Sequence, residues 1–234
     1  MRCYSVAGLR IVLIRVCGRL GAARAGVVVA VRILDLFCGA GGAGAGYARA
    51  GFEVVGVDVA PQPRYPFEFH RGDALEFLRA HGGEFDAVHA SPPCQAFTNA
   101  QKIRSNDHPD LVGPTRALLE SLGRPYIIEN VPGAPLVRPL VLCGAMFGLR
   151  TYRHRLFESN VSLVAPGHPD HVARVTRMGR PPRPGEFMHV VGNFSGADVA
   201  REVMGMPWAS RDGLREAIPP AYTEYLGGQL KERL

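Results

Sequence analysis

A cluster of glycines between a predicted strand and a predicted helix constrains the fold more than any other feature of the sequence. Residues 32–37 (RILDLF) form a short apolar run that predicts a buried parallel strand, and residues 43–50 are rich in small helix formers. The run CGAGGAG (38–44) joins them. Glycines at such a turn let the backbone approach a ligand, and the helix N-terminus offers free N–H groups. The pattern is compatible with a nucleotide cofactor, and also with a tight turn that binds nothing.

Apolar runs and helix-forming stretches continue to alternate beyond this loop. The pattern predicts strands at 53–58, 85–90 and 125–128, two further strand candidates at 140–143 and 155–158, and helices at 73–80 and 115–122. This order is typical of an α/β fold with a doubly wound, mostly parallel sheet and right-handed crossovers.

Three segments depart from this alternation. Residues 1–30 carry five arginines and no acid, and we expect them to form a poorly structured N-terminal extension. Residues 159–199 are rich in proline and lack periodicity, which predicts a small, irregular second lobe. Two helical segments, 200–208 and 211–232, are expected to return to the main domain. The predicted domains are therefore 1–30, 31–158 together with 200–234, and 159–199.

Composition and charge exclude several classes of protein. No apolar run approaches the roughly 20 uncharged residues of a transmembrane helix, so we expect no membrane partner. The net charge of +6 falls to +1 once residues 1–30 are left out, so charge alone does not indicate a nucleic-acid partner. The five cysteines are widely spaced and include no CxxC pair. This predicts a reducing, cytoplasmic compartment and argues against a structural zinc site.

Three acidic residues follow or lie within the predicted strands around the glycine loop. Asp58 ends the second strand, where a carboxylate can accept hydrogen bonds from a ribose diol. Asp35 lies inside the first strand, where it suits an amino or sulfonium group better than a phosphate. Asp73 could bind an adenine amino group. Together they favour S-adenosylmethionine over a pyrophosphate cofactor.

The segment Ser91-Pro92-Pro93-Cys94-Gln95 follows a predicted strand, at the sheet edge where open α/β folds bind ligands. The prolines restrict the backbone, so we expect Cys94 to face the crevice and not to fill the core. Glu129 ends another strand at this edge and could donate a proton, unless it is a surface carboxylate. Arg153 and Arg155 are spaced for one face of a strand and could bind a phosphate or a base carbonyl, unless they form a solvated edge.

The order of these motifs resembles the DNA (cytosine-5) methyltransferase family. The resemblance rests on DLFCGAGG (35–42), PPCQ (92–95), ENV (129–131), the two arginines of a Q-x-R-x-R motif (Arg153 and Arg155), EVMG (202–205) and AYTEY (221–225). It spans residues 32–230 in the family's order, and the short form looks like phage-encoded members. Two positions depart from the family pattern. Thr151 stands where Gln is usual, and Leu226-Gly227-Gly228 replaces a motif that usually carries Asn.

The resemblance implies a Rossmann-like S-adenosylmethionine-dependent methyltransferase fold, without a metal. In the family mechanism a cysteine thiolate adds to C6 of a flipped-out cytosine, which activates C5 for methylation. The implied catalytic residues are Cys94, Glu129, Arg153 and Arg155. The implied cofactor-binding residues are Asp35, Phe37, Gly39, Gly41, Gly42, Asp58, Asp73 and Pro93.

The resemblance also implies double-stranded DNA as the partner of a monomer, with a cognate restriction nuclease as a further candidate partner. The predicted DNA-binding residues are Gln95, Lys102 and Arg104 after the nucleophile, and Arg174, Arg177, Arg180 and Arg183 in the second lobe. That lobe, the target-recognition region in this family, is short here. Arginines that contact phosphates position a protein without reading sequence, so we expect short or relaxed sequence specificity.

Three other functions stay open at this point. Residues 91–98 (SPPCQAFT) also resemble tRNA cytosine methyltransferases, although no Cys-Phe-Thr triplet occurs in the recognition region. A catalytically silent DNA-binding relative would tolerate the departures in the last motif. A nicotinamide oxidoreductase would explain the glycine loop but not the Pro-Pro-Cys, Glu-Asn-Val or paired-arginine motifs.

Overall fold

The computed structural model describes residues 3–6, 9–12, 28–94, 110–177 and 179–234. Its strands are β1 (Cys3–Val6), β2 (Leu9–Val12), β3 (Val28–Val29), β4 (Arg32–Leu36), β5 (Glu53–Asp58), β6 (Glu68–Arg71), β7 (Ala87–Ala90), β8 (Tyr126–Asn130), β9 (Leu140–Leu142) and β10 (Arg155–Ser159). Its α-helices are α1 (Gly42–Arg49), α2 (Ala74–His81), α3 (Val112–Leu122), α4 (Ala197–Met204), α5 (Arg211–Glu216) and α6 (Pro220–Lys231). Short 3₁₀ turns follow at Gly82–Glu84 and Gly144–Phe147.

Seven strands form the main sheet in the order β6-β5-β4-β7-β8-β10-β9. The pairs from β6 to β8 are parallel, and β10 runs antiparallel to both β8 and β9. The chain moves outward from β4 through β5 to β6 and then crosses back to β7, so the strand order reverses between β4 and β7. This reversal opens a crevice at the carboxyl ends of the strands, where such folds bind ligands. The predicted doubly wound, mostly parallel sheet is confirmed.

Helices cover both faces of the sheet, and successive strand residues alternate between two cores. Ile33, Ala87 and Ile127 pack toward the α1 and α6 side with Tyr47 and Leu226. Their chain neighbours Leu34, Val88 and Ile128 pack on the other side with α2 and α3. This alternation is the period-two geometry of a strand that is buried on both faces.

Helices α1 and α6 approach unusually closely because α1 is built from glycine and alanine. A Cβ on Gly46 would overlap the Thr223 side chain and the Pro220 carbonyl oxygen. The Thr223 hydroxyl instead donates a hydrogen bond to the Ala43 carbonyl oxygen at 2.8 Å. Gly227 needs its small size as well, since a Cβ there would lie 2.9 Å from the Ala50 Cβ. The sequence departure at 226–228 therefore serves helix packing.

Several boundaries differ from the sequence prediction. The helix predicted at 211–232 is two helices, because Pro219 and Pro220 cannot continue the first one. The helix predicted at 200–208 lies at Ala197–Met204 and ends at Gly205, which adopts the left-handed conformation. Strand β6 was missed because its EFHR sequence is polar and three of its four residues are exposed.

The described residues of the segment 1–30 include three short strands. Strands β1, β2 and β3 form a separate antiparallel sheet in that order. The physical reason is composition, because segments such as Leu9–Val12 (LRIV) are rich in residues that favour extended backbone.

The segment predicted as a second lobe has little regular structure. Among its described residues, the chain from 160 to 196 has no helix or strand, and Val175 and Phe187 form an isolated bridge. Met188, Val190 and Phe194 share a hydrophobic cluster with residues of α4 and α5. The boundary proposed at 199/200 thus crosses a packed cluster. None of the helices in the described part of the chain is long and apolar enough to span a membrane.

Candidate active site

A cavity of about 250 Å³ lies at the carboxyl ends of β4, β7 and β8. Its wall consists of the glycine loop and the start of α1, the end of β5, the 91–94 and 129–131 segments, Arg155, and residues 216–218 before α6. The sequence predicted these elements at one sheet edge, and the structure brings them together around a single space.

The glycine loop is shaped for close approach of a ligand to the backbone. Gly41 caps α1 with φ 80°, and the first turn of α1 has neither a side-chain cap nor an acidic residue of its own. Gly42 and Ala43 in that turn line the cavity, while the Gly44 N–H bonds to the Asp35 carboxylate. A Cβ on Gly42 would overlap the Ile218 carbonyl oxygen. Phe37, which also lines the cavity, adopts φ 56°, a left-handed conformation that is strained for a phenylalanine.

Asp35 is fully buried in the cavity wall. Its Oδ2 accepts a hydrogen bond from the Tyr65 hydroxyl at 3.1 Å, while Oδ1 has no hydrogen-bond partner among the described residues. Burial raises the pKa of Asp35 to about 7, and the Tyr65 hydrogen bond offsets only part of that effect. A buried carboxylate with an unused oxygen is suited to a cationic group of a ligand.

Of the other two predicted cofactor acids, only Asp58 lines the cavity. The Gly39 N–H donates to its Oδ2 and the Ala60 N–H to its Oδ1, both at 2.9 Å, so the carboxylate also holds the glycine loop in place. Asp73 instead caps α2, where its Oδ1 accepts hydrogen bonds from the Leu75 and Glu76 N–H groups. Its role toward an adenine stays a prediction.

Cys94, Glu129 and Arg155 line the same cavity. The Arg155 Nε lies 3.1 Å from Glu129 Oε1, and both side chains are nearly buried. Burial raises the pKa of Glu129, and Arg155 and a Ser91 hydrogen bond oppose this rise. Burial raises the pKa of the Cys94 thiol as well, with a further rise from Glu129 and an opposing effect from Arg155. The charges of Glu129 and Arg155 therefore both affect the ionisation of the Cys94 thiol.

A chain of buried hydrogen bonds supports Glu129 from behind, and the sequence analysis missed it. The Tyr47 hydroxyl lies 2.9 Å from His89 Nδ1, and His89 Nε2 lies 2.9 Å from the Ser91 hydroxyl. Burial lowers the pKa of His89 to about 3, so the ring is neutral at pH 7. One arrangement satisfies every group: Tyr47 donates to Nδ1, Nε2–H donates to Ser91, and Ser91 donates to Glu129.

Asn130 is a second residue that the sequence analysis did not single out. Its side-chain amide donates to the Pro92 carbonyl oxygen at 2.9 Å, and its side-chain oxygen accepts from the Val131 N–H at 2.9 Å. Asn130 is buried, and it joins the end of β8 to the segment that carries Cys94. Its position directly after Glu129 was the available signal.

The structure corrects the predicted placement of Arg153. Strand β10 begins at Arg155, and Arg153 has φ 30°, so the two side chains do not share one face of a strand. The Arg153 guanidinium donates to the carbonyl oxygens of Val190, Arg215 and Ala217. Burial, with a smaller contribution from Arg155, lowers its pKa to about 9. Arg153 thus fastens the second lobe to the segment before α6, and it does not line the smaller cavity.

The predicted DNA-binding residues fall into three groups. Gln95, Lys102 and Arg104 lie outside the described residues. Arg174, Arg177 and Arg183 are exposed on the second lobe. Arg180 is partly buried and forms two hydrogen bonds of 2.7 Å with Glu186, so its charge is largely matched within the protein. Among the four lobe arginines it is therefore the poorest candidate for a phosphate contact.

A larger cavity of about 630 Å³ adjoins this region and extends to the second lobe. Its wall includes residues 151–155, His171 and residues 188–191. Arg155 lines both cavities and so marks the point where they meet. A ligand that extends beyond the smaller cavity past Arg155 would lie against the second lobe.

No protein-family model matches the chain. The chain is 31% identical over 122 residues to the type II methyltransferase M.AgeI of Thalassovita gelatinovora. This match covers 44% of this chain and 28% of the relative. It is 29% identical over 121 residues to the type II methyltransferase M.AquIA of Picosynechococcus, covering 44% of this chain and 49% of the relative. The matched stretch thus spans less than half the length of either relative.

Solved structures resemble this fold over most of the chain. One is described as a DNA modification methyltransferase encoded within a prophage (E. coli), with a TM-score of 0.62, 16% identity and coverage of 87% of this chain and 99% of that one. Another is the S. pombe Dnmt2 methyltransferase, with a TM-score of 0.60, 13% identity and coverage of 87% and 98%. These similarities confirm the predicted resemblance to DNA methyltransferases and the predicted Rossmann-like methyltransferase fold.

Proposed function

We propose that this chain is a DNA methyltransferase that transfers a methyl group from S-adenosylmethionine to C5 of cytosine. One observation carries the proposal: Cys94, Glu129 and Arg155 line the same cavity as the glycine loop and Asp35. A nucleophile, an acid and a base-orienting cation therefore face a cofactor pocket at the topological switch point of the sheet. The similarity to type II methyltransferases supports the same reaction class.

The cavity wall fits S-adenosylmethionine in its charge and shape. The unused Oδ1 of Asp35 suits the ammonium of the methionine part, and the uncapped N-terminus of α1 lies beside the glycine backbone. Asp58 suits the ribose hydroxyls, and Phe37 and Pro93 offer apolar contact. We assign Gly39, Gly41 and Gly42 to backbone contacts and Asp73 to the adenine. The cofactor, when bound, supplies an electrophilic methyl group.

The three catalytic side chains have complementary tasks on the cytosine ring. We infer that Cys94 adds as a thiolate to C6, which makes C5 nucleophilic. After methylation a base removes the C5 proton, and this elimination breaks the C6–S bond and releases the Cys94 thiolate. Glu129 holds or protonates N3, so that charge does not build up on the ring. Arg155 orients the base carbonyl and stabilises the ionised form of Glu129. Burial raises the pKa of Glu129, which favours its use as a proton donor, while Arg155 opposes that rise.

Because C6 is shielded in a duplex, the target cytosine must leave the base stack before the thiolate can attack. We assign the part of the smaller cavity beside Cys94, Glu129 and Arg155 to the flipped base, next to the cofactor. The larger cavity is assigned to the flanking DNA, since Arg155 lines both. The exposed Arg174, Arg177 and Arg183 would contact phosphates, as would Lys102 and Arg104, with Gln95 beside the nucleophile. The lobe is short and phosphate contacts do not read sequence, which is why we propose short or relaxed specificity.

The direct test is nucleoside mass spectrometry of DNA and tRNA from cells that express the chain or its Cys94→Ala variant. We expect 5-methylcytosine in DNA from the wild type only. The same mark confined to tRNA would reassign the substrate to RNA, and methylation at another atom would refute the C5 assignment. Equal thermal stability of the two proteins is the control that the variant is folded.

The covalent step has its own test. Duplexes of mixed sequence that contain 5-fluorocytosine should form a stable complex with the wild type and S-adenosylmethionine, because fluorine at C5 blocks the final elimination. Cys94→Ala should form none while still binding DNA. An equal yield of denaturant-resistant complex from both proteins would refute the role of Cys94. Binding without any methyl transfer would favour a silent DNA-binding relative.

A further inference from the structure

Four side chains with metal-ligating atoms converge away from the cavity of Cys94. Cys143 follows β9, His154 precedes β10, and His168 and His171 lie in the second lobe. The ligating atoms of all four lie within 4.8 Å of one another. Cys143 is buried, His154 is half-buried, and His168 and His171 are exposed. The cluster therefore lies at the protein surface with the thiol on its inner side.

Two of the interatomic distances match the edges of a tetrahedral metal site. A zinc ion with Zn–N bonds of about 2.0–2.1 Å and a Zn–S bond of about 2.3 Å separates two nitrogen ligands by about 3.3 Å, and sulfur from nitrogen by about 3.6 Å. His154 Nε2 and His168 Nε2 are 3.2 Å apart, and Cys143 Sγ and His171 Nε2 are 3.4 Å apart. The side chains are thus already spaced for one small cation.

Contacts with the backbone and with a neighbouring ring orient two of the histidines in the cluster. The His168 Nδ1–H donates to the Pro169 carbonyl oxygen at 2.9 Å, and its Nε2 faces His154. Such a backbone partner for the second ring nitrogen is a usual companion of metal-binding histidines. His171 stacks on Tyr152 at 3.6 Å between ring centroids, and Tyr152 is held by two hydrogen bonds with Ala173.

We propose that Cys143, His154, His168 and His171 bind one divalent transition-metal ion, with zinc as the best match to this ligand set. One sulfur and three imidazole nitrogens complete a tetrahedral shell, so no position is left open for a substrate or a water, and the site is structural. Binding converts the Cys143 thiol to a thiolate and releases its proton to solvent. The sequence analysis expected no metal, because no CxxC pair is present.

The metal would join parts of the chain that otherwise have few regular contacts. It would tie the end of β9 and the segment before β10 to the irregular second lobe. His154 lies between Arg153 and Arg155, so the ion would also fix the backbone that positions both arginines. None of its ligands lines the cavity of Cys94, whereas His154 and His171 line the larger cavity. The metal content can be measured whether or not the chain transfers a methyl group.

The test uses the untagged full chain, purified and dialysed against metal-free buffer, with metal content measured by plasma mass spectrometry. We expect about one zinc ion per chain in the wild type, and little in the His168→Gln and Cys143→Ser variants. The matched control is His81→Gln, because His81 is also exposed and bonds only to Glu84 in the described structure. It should retain zinc like the wild type.

Cobalt provides a readout of the ligand set. The Co²⁺-loaded wild type should show the intense visible bands of a tetrahedral site and a thiolate-to-cobalt charge-transfer band. The charge-transfer band should disappear in Cys143→Ser, and His168→Gln should lower the affinity by at least tenfold. His168 is exposed, so this variant is informative even if the substitution of buried Cys143 impairs folding. Equal zinc content in the wild type and His168→Gln, or cobalt binding without a thiolate band, would overturn the proposal.

Discussion

Replacing Arg153 by methionine should destabilise the whole fold, because this one side chain donates hydrogen bonds to three backbone carbonyl groups. Its Nε, Nη1 and Nη2 atoms donate to the carbonyl oxygens of Ala217, Val190 and Arg215. Methionine retains much of the aliphatic length but none of the donors. The three carbonyl groups come from two separate segments, so no single local rearrangement can satisfy all of them.

The size of the effect follows from two opposing terms. Hydrogen bonds from a charged donor contribute about 1.5–3 kcal/mol each, which bounds the gross loss at about 5–9 kcal/mol for three. Removing a guanidinium whose pKa burial has lowered to about 9 relieves the cost of holding a charge there. We therefore expect the free energy of unfolding to fall by about 3 kcal/mol, which is the order of the cost of leaving buried backbone acceptors without a donor.

The assay is equilibrium unfolding in urea, with Arg150→Met as the matched control. Arg150 is three residues away, and its salt bridge to Glu202 at 3.2 Å joins side chains that are 50% and 75% exposed. Such an exposed pair should contribute less than about 0.5 kcal/mol. If the two variants lose the same stability, the structural role of Arg153 is refuted. If Arg153→Met loses methyl transfer at full stability, the residue acts on the substrate instead.

Three further predictions follow from the same structure. Burial raises the pKa of Asp35 to about 7, so its carboxyl is protonated below that pH, whereas an ammonium group prefers the ionised form. The affinity for S-adenosylhomocysteine, measured by calorimetry, should therefore fall by up to about tenfold per pH unit below 7. A wild-type profile as flat as that of Asp35→Asn would contradict this. Arg174→Ala or Arg177→Ala should each lower by about 1 the slope of log DNA affinity against log salt concentration. Arg180→Ala should leave that slope unchanged, because Arg180 pairs with Glu186. Slopes equal to that of the wild type in all variants would show that none of these arginines contacts phosphate. Gly46→Ala should destabilise the chain by about 1–3 kcal/mol, because the new Cβ would overlap Thr223 and Pro220. Gly228→Ala lies in open space on α6 and should stabilise the chain by about 0.5–1 kcal/mol. Equal melting temperatures of the two variants would refute the packing argument.

The parts of the fold that could be predicted are those in which burial and backbone propensity alone decide the local structure. Strand β5 has the predicted bounds, since EVVGVD is apolar, β-branched and bounded by polar residues. Strand β6 was not predictable from periodicity, because its position at the sheet edge comes from pairing with β5 and not from burial. The break between α5 and α6 was signalled by two prolines, but apolar periodicity on both sides concealed it.

The candidate site shows the same division. The placement of Cys94 and Glu129 at one edge of the sheet was predictable, because Cys94 follows β7 and Glu129 lies near the end of the parallel strand β8. Arg153 was misplaced because the period-two argument treated it as part of a strand, whereas β10 begins at Arg155. The ligating cluster around Cys143 could not be inferred from spacing, since its members are brought together by the packing of an irregular lobe on the sheet. Tertiary contacts, and not local sequence, decide these positions.

The close approach of the last helix to the first has a consequence for how the chain is made in a cell. The glycine loop is supported from distant positions: the Trp208 indole N–H donates to the Ala40 carbonyl oxygen, and the Thr223 hydroxyl donates to that of Ala43, 180 residues earlier. At about 5–20 residues per second, a ribosome needs about 10–40 s to bridge that interval. During this time the nascent chain has a glycine-rich segment without its supports. We therefore expect ribosome-bound chains that lack α6 to be sensitive to protease at the loop, and the cavity beside it to form only after α6 has been made.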